Sequence, residues 1–383
     1  MSFDVMPFDY SSRLQKIEAV LTNTLPEKPD SEWFRRIFFD DGEEFRLPPG
    51  SSALLEPCID LLGRGGKRWR PLLMLLVCEA LDGGEAALPL APLVEFCHNA
   101  SLIHDDIEDS SEERRGKPAV HLLYGTDTAI NSGSFLYFLP LSCIDGWDAP
   151  CEAKLRLYSF WAREMRVLHF GQSLDIAWHR NWNIAPSIDD YYKMCASKTG
   201  VLARFAARTG ALAAAYGRKE AAEKENSAAV SLFVSAAEKL GVGFQIIDDV
   251  KNLTVGVSGK RRGDDIVEGK KSLPVLLYLN GASRDGAELE RRLALVKRCF
   301  AAAEESGNPA HRGVASHASE NFPPEVEELI NALDEAGCIE KAAGYGRGLL
   351  AEAGRLFDSA CDSAGTSGGE ARFLLAGFTG LIT

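Results

Sequence analysis

The chain has 383 residues, 46% hydrophobic and 25% charged, with a formal net charge of −13. This is the composition of a soluble globular protein with enough apolar side chains for a large core. The acidic balance excludes a general nucleic-acid binder, which needs clustered Lys and Arg against phosphate backbones.

From the N-terminus, MSFDVMPFDY lacks a positive segment followed by an apolar core, so no signal peptide is predicted. Residues 1–50 have weak periodicity and read as an N-terminal extension to a single domain over 51–383. GRGGKRWRP opens a helix whose apolar run, PLLMLLVCEAL, is too short to span a bilayer, and no transmembrane segment is expected. In ALPLAPLVEFCHNASLIHDDIED, Leu90, Leu93, Val94, Cys97, Ser101, His104 and Asp105 recur at helical steps. Similar patterns cover Leu155–Trp178, Ile188–Tyr216, Ala221–Leu253 and Glu288–Ala303. WDAP, NIAPS and VGVSGKRRGDD break them, and residues near 304–325 form the longest irregular stretch, an expected exposed loop. With no alternating strands and no βα alternation, the predicted fold class is all-α. Nine cysteines stand singly without CxxC spacing. That spacing suits a reducing, cytoplasmic setting and argues against a disulfide scaffold or a zinc site.

Two acidic stretches raise the question of chemistry. In SLIHDDIED, Asp105 and Asp109 lie one helical turn apart on one face, about 6 Å along the axis, with Asp106 on the flank. A lone DDxxD would read as a solvated face. Here the stripe His98, Ser101, Asp105 runs out of an apolar helix, and gathered carboxylates call for a hard cation such as Mg²⁺. In FQIIDDVKN, Asp248 and Asn252 share a face with Asp249 beside them, and Lys251 flanks it. Asn252 could reach a metal-bound water.

Three glycine-bounded basic runs accompany the acids: GGKRWRP, RRGKP and GKRRGDDIVEGKK. Arg grips phosphate oxygens through a planar fork and Lys acts as a mobile point charge. The last run lacks the spacing and preceding strand of a P-loop. HNASLIHDD fits an HD-type phosphohydrolase poorly, because that reading leaves GGKRWRP and the second DD unused.

Taken in order, GGKRWRP, HNASLIHDDIEDSSEERRGKPAVH, GQSLD, KTG, FQIIDDVKN and GKRRGDDIVEGKKSLP resemble the trans-isoprenyl diphosphate synthases, or polyprenyl synthetases, over roughly residues 60–280. The first motif looks most like geranylgeranyl diphosphate synthases. The resemblance implies a class I isoprenoid-synthase helical bundle around a central cavity, a homodimer, and Mg²⁺, about three per site with substrate bound. It also implies that Asp105, Asp106, Asp109, Asp175, Asp248 and Asp249 serve the metal. Arg114, Lys198, Gln245, Lys260 and Lys270 would contact the allylic diphosphate. Lys67, Arg70, His98 and Arg115 would bind isopentenyl diphosphate. Thr199 and Gln245 would stabilise the allylic cation, and Gln172 and Asp175 match GQxxD. The implied product is an all-trans prenyl diphosphate. Small residues below the first motif, Cys97, Ala100 and Ser101, predict geranylgeranyl diphosphate (C20) or longer, with Phe135, Tyr137 and Phe138 as a candidate deeper floor. Alternatives are a farnesyl diphosphate synthase, a non-catalytic subunit of a heteromeric synthase, and a terpene cyclase. The intact first motif argues against the second, and GGKRWRP with the paired arginines against the third.

Overall fold

The computed structural model describes residues 9–39, 48–181, 184–217, 227–256, 262–282, 285–307, 324–365 and 369–382. In chain order its first helices are α1 (Ser11–Thr24), α2 (Ser31–Phe38), α3 (Glu56–Gly63), α4 (Trp69–Ala80) and α5 (Ala91–Glu108). Then come α6 (Val120–Tyr124), α7 (Thr126–Phe138), α8 (Ser142–Asp145), α9 (Cys151–His179), α10 (Ile188–Cys195) and α11 (Val201–Gly217). The last are α12 (Ala228–Thr254), α13 (Asp264–Val267), α14 (Leu273–Gly281), α15 (Gly286–Gly307), α16 (Pro324–Glu335), α17 (Cys338–Ala364) and α18 (Glu370–Ile382). The all-α expectation holds. Among the described residues the strands are β1 (Glu113–Arg114) and β2 (Lys117–Pro118), one short antiparallel hairpin.

The sequence of α4, WRPLLMLLVCEA, is apolar almost all round, and every residue of it except Glu79 is buried. Such a helix must sit inside a bundle. It packs against α11, α18, α1 and α5. The segment read as an N-terminal extension supplies α1, which buries Ile17 and Leu21 and sends Arg13 to Glu79 at 2.8 Å. It also supplies α2, whose Phe38 stacks on Phe135 of α7. By length and hydropathy α12 could cross a bilayer, but it packs along α17 and α11. A second apolar cluster joins α10, α12, α14, α15, α16 and α17.

Between α10 and α11 the chain makes a π-helical turn, Ala196–Gly200, which carries KTG. Single π turns inside α-helices frequently mark functional positions. Two glycine contacts fix this one. A Cβ on Gly171 of α9 would stand 2.5 Å from the Lys198 backbone nitrogen, and one on Gly241 of α12 would stand 2.7 Å from Gly200 Cα. α9 and the middle of α12 thereby close on the turn, and Lys198 links it to Asp105 of α5. Gly241→Ala forces backbone against backbone, so over-packing should cost roughly 1–3 kcal/mol. The check is a lower urea midpoint at unchanged m-value. A midpoint equal to the parent's would contradict the close approach.

Candidate active site

The first acidic wall is built by α5 and α9. Asp105 Oδ1 accepts from Lys198 Nζ at 3.1 Å and from Gln172 Nε2 at 2.9 Å. Gln172 Nε2 also donates to Glu108 Oε2 at 2.6 Å. Lys198 reaches on to Asp175 Oδ2 at 2.6 Å. Burial works to raise the Asp175 carboxyl, but Lys198 and Lys270 hold it below the usual range. Asp109 closes the C-terminus of α5, and its Oδ2 accepts from Lys270 Nζ at 2.8 Å. Lys270 also lies 2.6 Å from Glu268 and 3.7 Å from Asp265. Asp106 is fully buried, and Arg114 Nε donates to its Oδ1 at 2.9 Å while the same guanidinium lies 4.0 Å from Asp105.

The second wall is α12. Thr199 Oγ1 donates to Gln245 Oε1 at 2.8 Å, and Gln245 Nε2 donates to Asp249 Oδ1 at 2.8 Å. The other Asp249 oxygen accepts from the Tyr191 hydroxyl at 2.6 Å, inside the protein. Burial, then the charges of Asp265 and Asp248, push the Asp249 carboxyl up to about 7. Asp248 is half-buried on the same face. Asn252 is buried, and its Oδ1 accepts from the Asp265 backbone N–H at 3.2 Å, so it anchors the loop that presents Asp265.

A basic cluster stands beside the acids. The β1–β2 turn, Arg115–Gly116, has φ of 55° and 75°. Positive φ at both central residues is the type I′ pattern that joins two-residue hairpins. It splits two adjacent arginines: Arg114 goes to Asp106, while Arg115 donates to Leu61 O and Asn99 Oδ1, each at 3.1 Å. The Arg70 guanidinium lies 4.3 Å from the Trp69 ring centroid. Burial lowers both Arg70 and Arg115 to about 10. Glu95, buried in an otherwise apolar stretch of α5, receives Arg68 at 2.8 Å and is the cluster's internal counter-charge. Lys67 donates to Ile382 O at 2.8 Å, so α18 reaches this end of the site. Lys67 lies in the fields of Lys251 and Asp248. Lys260 falls outside the described residues.

Sequence reasoning did not single out Tyr191, Asp265, Glu268, Glu95 or Asn99. A charge inside an apolar helix was a usable signal for Glu95. The second DD of GKRRGDDIVEGKK was one for Asp265. Tyr191 had none, because only the fold brings it to Asp249.

The donor set fits a hard divalent cation. Asp109 Oδ1 is buried with no hydrogen-bond partner, and burial with Asp105 and Glu268 nearby raises that carboxyl. Among the described residues no three His, Cys, Asp or Glu side chains form a closed metal cluster. Mg²⁺ suits such a set, because it takes one or two carboxylates and completes its shell with phosphate and water. Away from the acids, Cys97 and Ala100 are fully buried. Tyr137 packs between His104 and His169, with ring centroids at 5.7 and 5.1 Å. Phe138 is exposed and Phe135 is covered by Phe38, so of the three candidate floor aromatics Tyr137 is the inward one.

Comparison with known proteins follows the same lines. The polyprenyl synthetase family profile matches residues 51–305. The chain is 38% identical to a geranylgeranyl pyrophosphate synthase of Geoglobus acetivorans, over 60% of this chain and 68% of that protein. It is 35% identical to a geranylfarnesyl diphosphate synthase of Aeropyrum pernix, over 59% of this chain and 70% of that one. The crystal structure of geranylgeranyl pyrophosphate synthetase from Pyrococcus horikoshii superposes with a TM-score of 0.73 at 26% identity, covering 97% of this chain and 95% of that one.

His98 stands against the basic cluster. Desolvation and the positive fields of Arg70, Arg115 and Arg114 push its imidazole well below the ordinary histidine value. The unfolded chain takes that proton near the ordinary value and the folded chain does not. Stability from this site is therefore full above the ordinary value and falls on acidification through it. In an NMR titration His98 should stay neutral where exposed histidines protonate. A midpoint at the ordinary value would contradict the placement.

Proposed function

The chain belongs to the polyprenyl synthetase family, and from that premise we propose that it is a Mg²⁺-dependent trans-prenyltransferase. It condenses isopentenyl diphosphate with an allylic diphosphate by ionisation, condensation and elimination. The product is an all-trans prenyl diphosphate, geranylgeranyl diphosphate or longer. The observation that carries this reading is the adjacency of two kinds of ground. Two groups of carboxylates, the one on α5 and α9 neutralised by Lys198 and Lys270 and the other on α12, lie beside a separate cationic cluster of Arg70 and Arg115 with a neutral His98 against it. One suits a metal-bound diphosphate and the other a diphosphate gripped by side chains alone.

Asp105 and Asp109 on one wall, with Asp248 and Asp249 on the other, would hold the cation. Asp106 and Asp175, paired with Arg114 and Lys198, would add carboxylates to the same metal ground. Bound Mg²⁺ supplies charge neutralisation for the departing diphosphate. Arg114, Lys198 and Lys270 add fixed positive charge at the same place, where preorganised charge stabilises the transition state most. Thr199 and Gln245 present oxygen dipoles to the developing allylic cation, and apolar walls keep water from it. Arg70, Arg115 and Lys67 orient isopentenyl diphosphate so that its alkene faces that cation. The released diphosphate accepts the proton lost on elimination.

Small side chains at Cys97, Ala100 and Ser101 put no aromatic side chain directly below the acids, and Tyr137, packed between His104 and His169, would form the floor. This favours C20 or longer over C15. We also propose a homodimer, supported by exposed Leu122, Leu123, Ile130 and Phe138 on α6 and α7, a fringe that a second copy would cover. A cytoplasmic location is supported by cysteines that are all free. Sedimentation at monomer mass would refute the first, and a secreted tagged protein the second.

The decisive assay is incubation with isopentenyl diphosphate, each allylic diphosphate and Mg²⁺, with chromatography of the products. Elongation to C20 or beyond is expected, and no elongation from any primer would refute the reading. Ser101→Phe should shorten the product by an isoprene unit or more, and Tyr137→Ala should lengthen it. An unchanged product from both variants would place the floor elsewhere.

A further inference from the structure

Tyr191 sits on α10, whose first turn is locked by a capping box. Asp190 N–H donates to Ser187 Oγ at 3.1 Å, and Ser187 N–H donates to Asp190 Oδ2 at 3.0 Å. The helix runs without a break into the π turn that carries Lys198 and Thr199. This one short segment therefore touches both acidic walls. Lys198 holds Asp105 and Asp175, Thr199 holds Gln245, and Tyr191 holds Asp249.

The phenol is 1% exposed, and its ring packs edge-on against Tyr192. The Tyr191 hydroxyl donates to Asp249 Oδ2 at 2.6 Å. Tyr191 takes one Asp249 oxygen and Gln245 Nε2 takes the other. Each oxygen keeps a further lone pair, while the plane of the carboxylate is fixed from two sides. A carboxylate held at one oxygen only can rotate about its Cβ–Cγ bond.

We propose that Tyr191 is a positioning residue for the reaction: its hydroxyl fixes the Asp249 carboxylate in the orientation from which the second wall engages the metal-bound diphosphate. The inference rests on the metal-dependent reading of the site given above. It concerns a buried tyrosine that would act on the reaction through the Asp249 carboxylate.

Tyr191→Phe removes one oxygen and leaves the ring packing in place. Mn²⁺ binding, followed by electron paramagnetic resonance in the presence of inorganic diphosphate, should weaken about tenfold, the scale on which outer-shell partners of metal ligands act. The Mg²⁺ concentration for half-maximal elongation should rise by a similar factor, while KM for isopentenyl diphosphate stays at the wild-type value. In an Asp249→Asn background, Tyr191→Phe should change Mn²⁺ affinity no further. Wild-type Mn²⁺ affinity in the single variant, or a further comparable loss in the double variant, overturns the proposal, whatever the melting temperature. A wild-type protein that does not elongate any primer refutes the functional reading instead. Wild-type elongation with an unaffected Tyr191→Phe refutes only this inference.

Discussion

The site depends on a charge problem solved by two lysines. Asp105, Asp109, Asp175, Asp249, Asp265 and Glu268 crowd one partly buried region, where each uncompensated carboxylate is expensive. Lys198 bridges α5 to α9, and Lys270 bridges α5 to the loop before α14. Because both lysines are themselves shielded, removing either one strands its carboxylate partners away from water. The backbone features nearby place these ammonium groups. The π turn aims Lys198, and the Gly171 and Gly241 contacts let α9 and α12 approach that turn. Asn252 holds the loop that brings Asp265 toward Lys270.

A second asymmetry sits alongside. The cationic cluster around Arg70, Arg115 and His98 has one buried acid, Glu95, and is otherwise held by backbone carbonyls and Asn99. Its desolvated guanidinium groups therefore favour an anionic ligand. One region has spare negative charge and its neighbour spare positive charge. Two diphosphates handled differently, one through metal and one through arginine, are the economical way to satisfy both.

Much of this was legible in the chain because it is local. Helical periodicity gave the all-α class, and the i, i+4 spacing put Asp105 and Asp109 on one face. Glycine-bounded basic runs marked the start of α4, which carries Arg70, and the loops that carry Arg115 and Lys270. The unread parts are long-range. Nothing near Tyr191 in sequence points to Asp249, and nothing near Ile382 points to Lys67. Asn252 shares a helical face with Asp248, but the bond from the Asp265 backbone to its Oδ1 is long-range and has no local signal. The I′ turn also delivers Arg114 to Asp106, a contact that helical spacing does not reveal. Residues 11–38 read as peripheral because their apolar positions are sparse. Ile17, Leu21, Trp33 and Phe34 are nonetheless buried in the main cluster.

The central claim is that the two carboxylate walls and their lysines form one diphosphate site that requires a divalent cation. Calorimetric titration with inorganic diphosphate, with and without Mg²⁺, tests it directly. The account predicts tight binding with Mg²⁺ and a loss on the order of tenfold or more when Asp109→Asn removes one acid. Equal affinity with and without Mg²⁺, unchanged by Asp109→Asn, would contradict it.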